Sequence, residues 1–307
     1  MRWVLVVIAS AMVLSACADN TPVLSGTASP APADPSSTAD ASPNPEPTPS
    51  PTPSPGGRDA AAFAVIGDWG AGTEQQQDVA DRMCRWRQRR SFDHVFTTGD
   101  NIYPDGRGSN FEPFFFDVYG CLFDAGVRWH AALGNHDVVL ENGAAELNEP
   151  AFGLKARNYV VRKFGVRFVV VDSNDLNMRF LRKQTRTRSG DRFTVVLMHH
   201  PVFSGGDSHG PTPGLAERVG ELFSRRGVDL VFSGHDHVYS ASRVVAGVRY
   251  VVTGGGGAGS NGCRSSVAIV SCVSRYHFIY VKVFDDRLKV RAVPRSGVPF
   301  ETFTVRN

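Results

Sequence analysis

The chain contains no apolar run long enough to cross a membrane as a helix, which takes ~20 residues. Its N-terminal stretch from Trp3 to Leu14 falls short of that. Net charge is also scarce. The 33 Lys and Arg against 30 Asp and Glu leave a formal +3, and the basic residues are scattered rather than striped. A nucleic-acid partner is therefore not suggested. No segment repeats, which sets solenoids and propellers aside. Cysteine is sparse, with five in 307 residues, so the chain is no disulfide-dense miniprotein and must be held by a core.

What is present begins with Arg2 and the short apolar run, a pattern that reads as the core of a signal peptide over 1–16. The run ends in Leu14-Ser15-Ala16-Cys17, which resembles the lipobox of bacterial lipoproteins. That resemblance implies export, lipidation of Cys17, and anchoring to the outer face of the cell membrane. Residues 17–57 follow, rich in Pro, Ser, Thr, Ala and Asp. They hold eleven of the nineteen prolines and too little apolar surface to offset the entropy of ordering. The stretch reads as a semi-rigid stalk. Residues 58–307 form the working domain, within the size range of one domain. Its four cysteines, Cys84, Cys121, Cys263 and Cys272, suggest disulfides in an exported protein. Three connectivities are possible; closeness in sequence favours Cys263–Cys272 and leaves Cys84–Cys121.

The domain alternates apolar runs with polar loops. Strand signatures at Ala61–Ile66, His94–Thr97, Arg128–Leu133, Phe193–Met198 and Leu230–Phe232 each end in a loop carrying Asp, Asn or His. A hairpin is expected over Tyr159–Asp172, and helices over Glu74–Arg90 and Leu215–Arg226, the second closed by Gly227. If the five strands share a sheet, their loops converge at its carboxyl end, where open α/β sheets bind ligands. Those loops supply carboxylates, a phenol, an amide and imidazoles, a mixed oxygen and nitrogen set suited to two cations. Asp100, directly after a strand, can offer one oxygen to each of two ions ~3.5–4 Å apart. A Tyr103 phenolate would favour a trivalent ion such as Fe(III). His94, His130 and His277 lie inside strand patterns and read as structural.

Five motifs, in order, make the resemblance specific. Gly67-Asp68-Trp69-Gly70, Gly99-Asp100-Asn101-Ile102-Tyr103, Gly134-Asn135-His136-Asp137, Val196-Leu197-Met198-His199 and Gly234-His235-Asp236-His237 resemble those of the purple acid phosphatases, within the calcineurin-like metallophosphoesterases. The compact size and His209-Gly210-Pro211-Thr212 are most similar to the small, mammalian-type branch. The resemblance implies an α/β sandwich of two mixed β-sheets flanked by helices. It implies a binuclear centre that cleaves phosphate monoesters with a metal-bound hydroxide. Asp68, Tyr103 and His237 would hold Fe(III); Asn135, His199 and His235 would hold a divalent ion (Fe, Zn or Mn); Asp100 would bridge the two. His136, fixed by neighbouring Asp137, and His209 would contact the phosphate and protonate the leaving group, with Asn135 also on the substrate side. His200 has no ligand role in the family pattern and is a candidate for substrate contact. The alternatives are a related phosphodiesterase, for example on cyclic nucleotides, and a metal-free binding lipoprotein. Two departures from the pattern stand out. The stretch Leu176–Ser189 is short and rich in Arg and Lys, arguing against a long regulatory loop. Gly205-Gly206 and Gly254–Gly257 suggest a more flexible pocket wall.

Overall fold

The computed structural model describes residues 61–186 and 190–307. The signal peptide expected at 1–16, the stalk at 17–57 with its Cys17, and residues 187–189 at the end of the Arg- and Lys-rich stretch lie outside the described residues.

Two mixed sheets face one another, with helices on their outer sides. The first contains β1 (Ala62–Ile66), β2 (His94–Thr97), β3 (Arg128–His130), β11 (His277–Val283), β12 (Arg287–Pro294) and β13 (Glu301–Arg306), in the order β13-β12-β11-β1-β2-β3. The second contains β4 (Tyr159–Lys163), β5 (Val166–Val171), β6 (Phe193–Met198), β7 (Leu230–Ser233), β8 (Tyr239–Ser242), β9 (Arg249–Thr253) and β10 (Ile269–Val273), in the order β10-β8-β9-β7-β6-β5-β4. β1, β2 and β3 run parallel, as do β5, β6, β7 and β9, while the flanking strands pair antiparallel.

Strands covered on both faces have no polar side to show, which is why they appear in the sequence as continuous apolar runs. Along β1, Phe63 and Val65 enter the core between the sheets, whereas Ala62, Ala64 and Ile66 pack outward. On the facing sheet Phe168, Val170, Val195 and Leu197 point inward, and Val169, Val171, Val196 and Met198 outward. The inner layer closes on an aromatic contact, with Phe168 stacked on Phe96 at 4.0 Å and edge-on to Phe63 at 4.8 Å.

Helix α1 (Glu74–Arg89) covers the outer face of the first sheet with Val79, Ala80 and Met83. Thr73 caps it by accepting the Gln76 N–H at 3.1 Å, and Arg87 and Arg89 sit in its last turn, complementing the helix dipole. It ends one residue before the expected Arg90, with Trp86 laid edge-on to Phe278 and Tyr280. Helix α2 (Asp117–Asp124) lies beside it, and α3 (Ala144–Asn148) is a short turn. Within the Arg- and Lys-rich stretch, Met178–Gln184 forms the short α4. Helix α5 (Leu215–Arg225) buries Leu215, Val219 and Phe223 against the second sheet. Its end is a Schellman cap: Val228 N–H reaches Phe223 O at 3.0 Å, Gly227 N–H reaches Ser224 O at 3.2 Å, and Gly227 takes φ +63°.

The disulfides are Cys84–Cys121, joining α1 to α2, and Cys263–Cys272, with Cα separations of 6.1 and 5.9 Å. The histidines expected to be structural are so. His94 Nδ1 and His130 Nε2 are 2.8 Å apart, and buried His277 lies between Arg275 O and the Thr253 hydroxyl. The glycine run at 254–257 corrects an expectation. It is not a flexible wall but a buried seam, where a Cβ would collide with Asp236, His277, Gly67 or Gln76 in turn. Gly205 and Gly206 are likewise buried, Gly206 against the Asp236 carboxylate. Glycine serves here for close approach rather than for motion.

The two disulfides close loops of 37 and 9 residues. By the chain-entropy relation, losing the longer should cost about 4 kcal/mol and the shorter about 2.5 kcal/mol. The variants Cys84→Ala with Cys121→Ala, and Cys263→Ala with Cys272→Ala, compared by denaturant unfolding, should rank in that order. Equal losses would show that the crosslinks act through native packing instead.

Candidate metal centre

The five motif-bearing strands do not share one sheet, so the condition set on their convergence is not the one that applies. β1, β2 and β3 belong to one sheet and β6 and β7 to the other. The loops converge nonetheless, because the carboxyl ends of both parallel sets open at the same edge of the sandwich. Each chain turns sharply as it leaves its strand. Asp68, Asp100 and His235 all take left-handed φ, at +57°, +49° and +72°. Such conformations cost on the order of 1–3 kcal/mol each and persist only where the surroundings enforce them. Glycines permit the crowding: a Cβ on Gly134 would strike the Asp100 carboxylate, and Gly99, at φ +93°, backs onto Gly134. Trp69 anchors the first turn, fully buried against Phe115, Tyr119 and Trp129.

Two groups of donor atoms result, sharing one oxygen. In the first, the Tyr103 hydroxyl lies 3.0 Å from Asp100 Oδ2, 3.2 Å from His237 Nε2 and 3.5 Å from Asp68 Oδ1, and His237 Nε2 is 3.5 Å from Asp68 Oδ1. In the second, His199 Nε2 lies 2.9 Å from Asn135 Oδ1, 3.2 Å from His235 Nδ1 and 3.4 Å from the same Asp100 Oδ2. Asp68, Asp100 and His199 each place a ligand atom within 4.8 Å of the others. All seven residues expected as ligands are thus brought together.

These atoms fit cations better than they fit one another. His199 Nδ1 donates to Thr98 O at 3.0 Å, so its Nε2 carries a lone pair, and that lone pair faces Asn135 Oδ1, itself an acceptor. Asp68 and Asp100 are buried carboxylates. Backbone N–H groups of His235 and His136 reach them, but no Lys or Arg pairs with either among the described residues. Burial, opposed by His237, pushes Asp68 up to about 7, and burial also raises Asp100. Burial pushes His235 down to about 2, with His199, His200 and His209 adding to it, and holds His199 well below the usual range. Tyr103 is raised by burial and by the charges of Asp68 and Asp100. Without a cation, burial favours neutral imidazoles at His199 and His235 and a protonated Tyr103 phenol, while at His237 burial is outweighed by Asp68, which raises it. Two bound cations would favour the ionised oxygens and neutral ring nitrogens.

The remaining candidates surround this centre. His136 is half-buried, its ring 4.4 Å from that of Tyr103. It is not fixed by Asp137, as the adjacency suggested; its Nδ1 donates to Pro104 O at 2.6 Å. Asp137 is fully buried and turned into the backbone, accepting N–H groups of Asn101, Ile102 and Gly134. Asn101 likewise stays off the centre, donating to Ala132 O, Asp137 and Glu146. His209 is exposed and stacks on His235 with centroids 4.1 Å apart. His200 lies 4.8 Å from His235, its Nδ1 bonded to the Ser173 hydroxyl at 2.8 Å. Residues that sequence reasoning missed are the ones that hold loops: Glu146, Ser173, Asn261, which accepts the His237 N–H at 2.7 Å, and Asp236. Only Asp236 carried a signal, its place between two ligand histidines.

Comparison with known proteins agrees with this geometry. The calcineurin-like phosphoesterase family matches residues 61–239. Purple acid phosphatase 3 of Arabidopsis thaliana is 28% identical over 231 residues, covering 64% of this chain and 63% of that protein. Purple acid phosphatase 17 of the same plant is 26% identical, covering 71% of this chain and 75% of that protein. The chain therefore spans less than two thirds of the first of these relatives and three quarters of the second. Among solved structures, a purple acid phosphatase from yellow lupin seeds superposes with a TM-score of 0.70 at 18% identity, over 83% of this chain and 55% of that one. GAP50 of Plasmodium, described as an anchor in the inner membrane complex, superposes at 0.68 with 19% identity, over 81% and 89%. At those identities the superpositions speak to the fold. With the family match spanning more than half of the chain, and with all five motifs gathered at one edge of the sandwich, the protein belongs to the calcineurin-like phosphoesterase family, as a purple acid phosphatase-like member.

Proposed function

We propose that the protein is a binuclear-metal acid phosphatase acting on small phosphate monoesters. The observation that carries this reading is the shared Asp100 Oδ2, standing between a cluster of Asp68, Tyr103 and His237 and a cluster of Asn135, His199 and His235. The first cluster would hold Fe(III), since a phenolate is a hard anionic donor. The second, with a neutral amide, would hold a divalent ion, Fe, Zn or Mn. When bound, the two ions supply neutralisation of the phosphate charge and an acidified water as nucleophile.

The chain's own residues supply the rest. The His136 N–H donates to Asp100 Oδ1 at 2.9 Å and keeps Oδ2 turned to the centre. The Pro104 carbonyl occupies His136 Nδ1, which leaves Nε2 for a phosphate oxygen. Asn135 leaves the second cluster less negative than a carboxylate would and can also meet the substrate. His209, exposed and stacked on His235, would give a proton to the departing oxygen. His200, bonded to Ser173 and close to His235, would contact the substrate as well. The test is direct: purified, metal-loaded protein should hydrolyse p-nitrophenyl phosphate in acid well above bis-p-nitrophenyl phosphate. The opposite preference would indicate a phosphodiesterase.

Export and anchoring are proposed on Leu14-Ser15-Ala16-Cys17, with the 17–57 stalk spacing the domain from the outer face of the cell membrane.

Three outcomes follow. The wild type loaded with iron should be pink or purple from phenolate-to-Fe(III) charge transfer. Tyr103→Phe should lose the colour while keeping its circular dichroism, since the ring is retained; colour that survives the substitution would remove Tyr103 from the centre. His209→Asn should slow hydrolysis of glycerol phosphate by a factor approaching the 10²–10⁴ typical of general acids, but slow p-nitrophenyl phosphate much less, because nitrophenolate leaves without a proton. Equal slowing on both substrates would make His209 a binding residue. Cys17→Ala should abolish incorporation of a labelled fatty acid in the producing cell, and persistent labelling would place the anchor elsewhere.

A further inference from the structure

Asp236 lies between two proposed ligands, His235 and His237, yet its carboxylate turns away from the centre. It is fully buried, and no Lys, Arg or His side chain pairs with it among the described residues. Instead it faces the segment 204–210. Oδ2 accepts the Ser204 hydroxyl at 2.5 Å and the Gly210 N–H at 2.9 Å, and Oδ1 accepts the His209 N–H at 2.9 Å. The Ser204 oxygen in turn accepts the Gly206 N–H at 3.0 Å. Gly206 presses so closely on the carboxylate that a Cβ there would overlap it.

A buried ionised carboxylate is costly unless hydrogen bonds replace its water. Here each of those bonds comes from one loop. That loop carries His209, whose own ring is exposed and stacked on His235. An exposed imidazole on a loop would ordinarily sample many positions. Its backbone is fixed here on both sides, by the bonds to its own N–H and to that of Gly210.

We propose that Asp236 is the positioning residue for His209. It ties the loop bearing the leaving-group acid to the turn bearing one ligand from each cluster. Acid and metal centre are then set in register by one side chain that touches neither substrate nor ion. The opposite side of the loop is gripped by residues 262–264, at the start of the disulfide loop, through Asp207 N–H to Gly262 O at 3.1 Å and Arg264 N–H to Gly205 O at 2.8 Å. Those two bonds go to Asp207 and Gly205 and not to the His209 backbone, although the Arg264 guanidinium packs against Gly210. The inference rests on the reading of His209 as the acid.

Asp236→Asn is the test, since it keeps the volume and replaces one acceptor with a donor that faces N–H and O–H groups. In the metal-free protein, amide hydrogen exchange at His209 and Gly210 should rise at least tenfold, while exchange in β1 and β6 is unchanged. In the loaded enzyme, the loss on glycerol phosphate should exceed the loss on p-nitrophenyl phosphate by about tenfold or more, within the range general acids contribute. The effect should lie in kcat rather than KM, at unchanged metal content. Combined with His209→Asn it should add little, as for two residues acting through one step. Should Asp236→Asn fail to fold, Ser204→Ala removes one of the three bonds and should shift the same ratio in the same direction, by less. Equal losses on both substrates, or full additivity with His209→Asn, would overturn the proposal and leave Asp236 a stabilising residue. If His209→Asn alone shows no dependence on leaving group, the acid reading fails and the proposal falls with it. If His209→Asn shows that dependence and Asp236→Asn does not, only the positioning role falls.

Discussion

The architecture at the site turns on the burial of two carboxylates, Asp68 and Asp100, at the junction of two sheets with no Lys or Arg among the described residues to neutralise them. Burial raises both toward their neutral forms. An arrangement that holds lone pairs of oxygen and nitrogen 2.9–3.5 Å apart is unfavourable by itself, and cations are what make it favourable. The surrounding polypeptide supplies the stiffness to keep the atoms there. Left-handed turns at Asp68, Asp100 and His235 are held by interloop hydrogen bonds and by the buried rings around Trp69.

That stiffness comes from a second tier of buried acids that never reach the centre. Asp137 collects the N–H groups of Asn101, Ile102 and Gly134 and so locks the loop after β2 to the loop after β3. Asp236 does the equivalent on the other sheet, locking the loop after β6 to the turn after β7. Both accept mostly backbone N–H groups, which the two oxygens of one carboxyl can do in several directions at once. Side chains adjacent to ligands in sequence are thus used to fix loops, and the ligands themselves stay free for the ions.

Much of this was legible in the chain. Apolar strands each ending in a polar loop marked the order of the motif-bearing elements. The two expected helices fell within a residue of their expected ends while α2, α3 and α4 were not foreseen, and the pairing favoured by closeness in sequence is the one observed. The ligand residues were nameable because motif spacing is local. What the chain did not reveal were relations across sequence distance. Asn101 and Asp137 look like site residues but serve the loops 36 residues apart. The glycines at 254–257 look like a hinge but form a packed seam, since close approach and freedom of motion call for the same residue.

The sequence alone determined which strands are buried on both faces, because a strand without polar alternation has no side to give to water. It also determined which atoms could serve as ligands, because donor chemistry belongs to the residue. Only the tertiary structure decided that the motif-bearing strands divide between two sheets, three and two, and still deliver their loops to one edge. It alone decided that one oxygen of Asp100 faces both clusters, and that Asp236 grips the loop of His209 from 27 residues away. Those outcomes depend on packing between elements remote in the chain, where no local preference of residue or spacing can act.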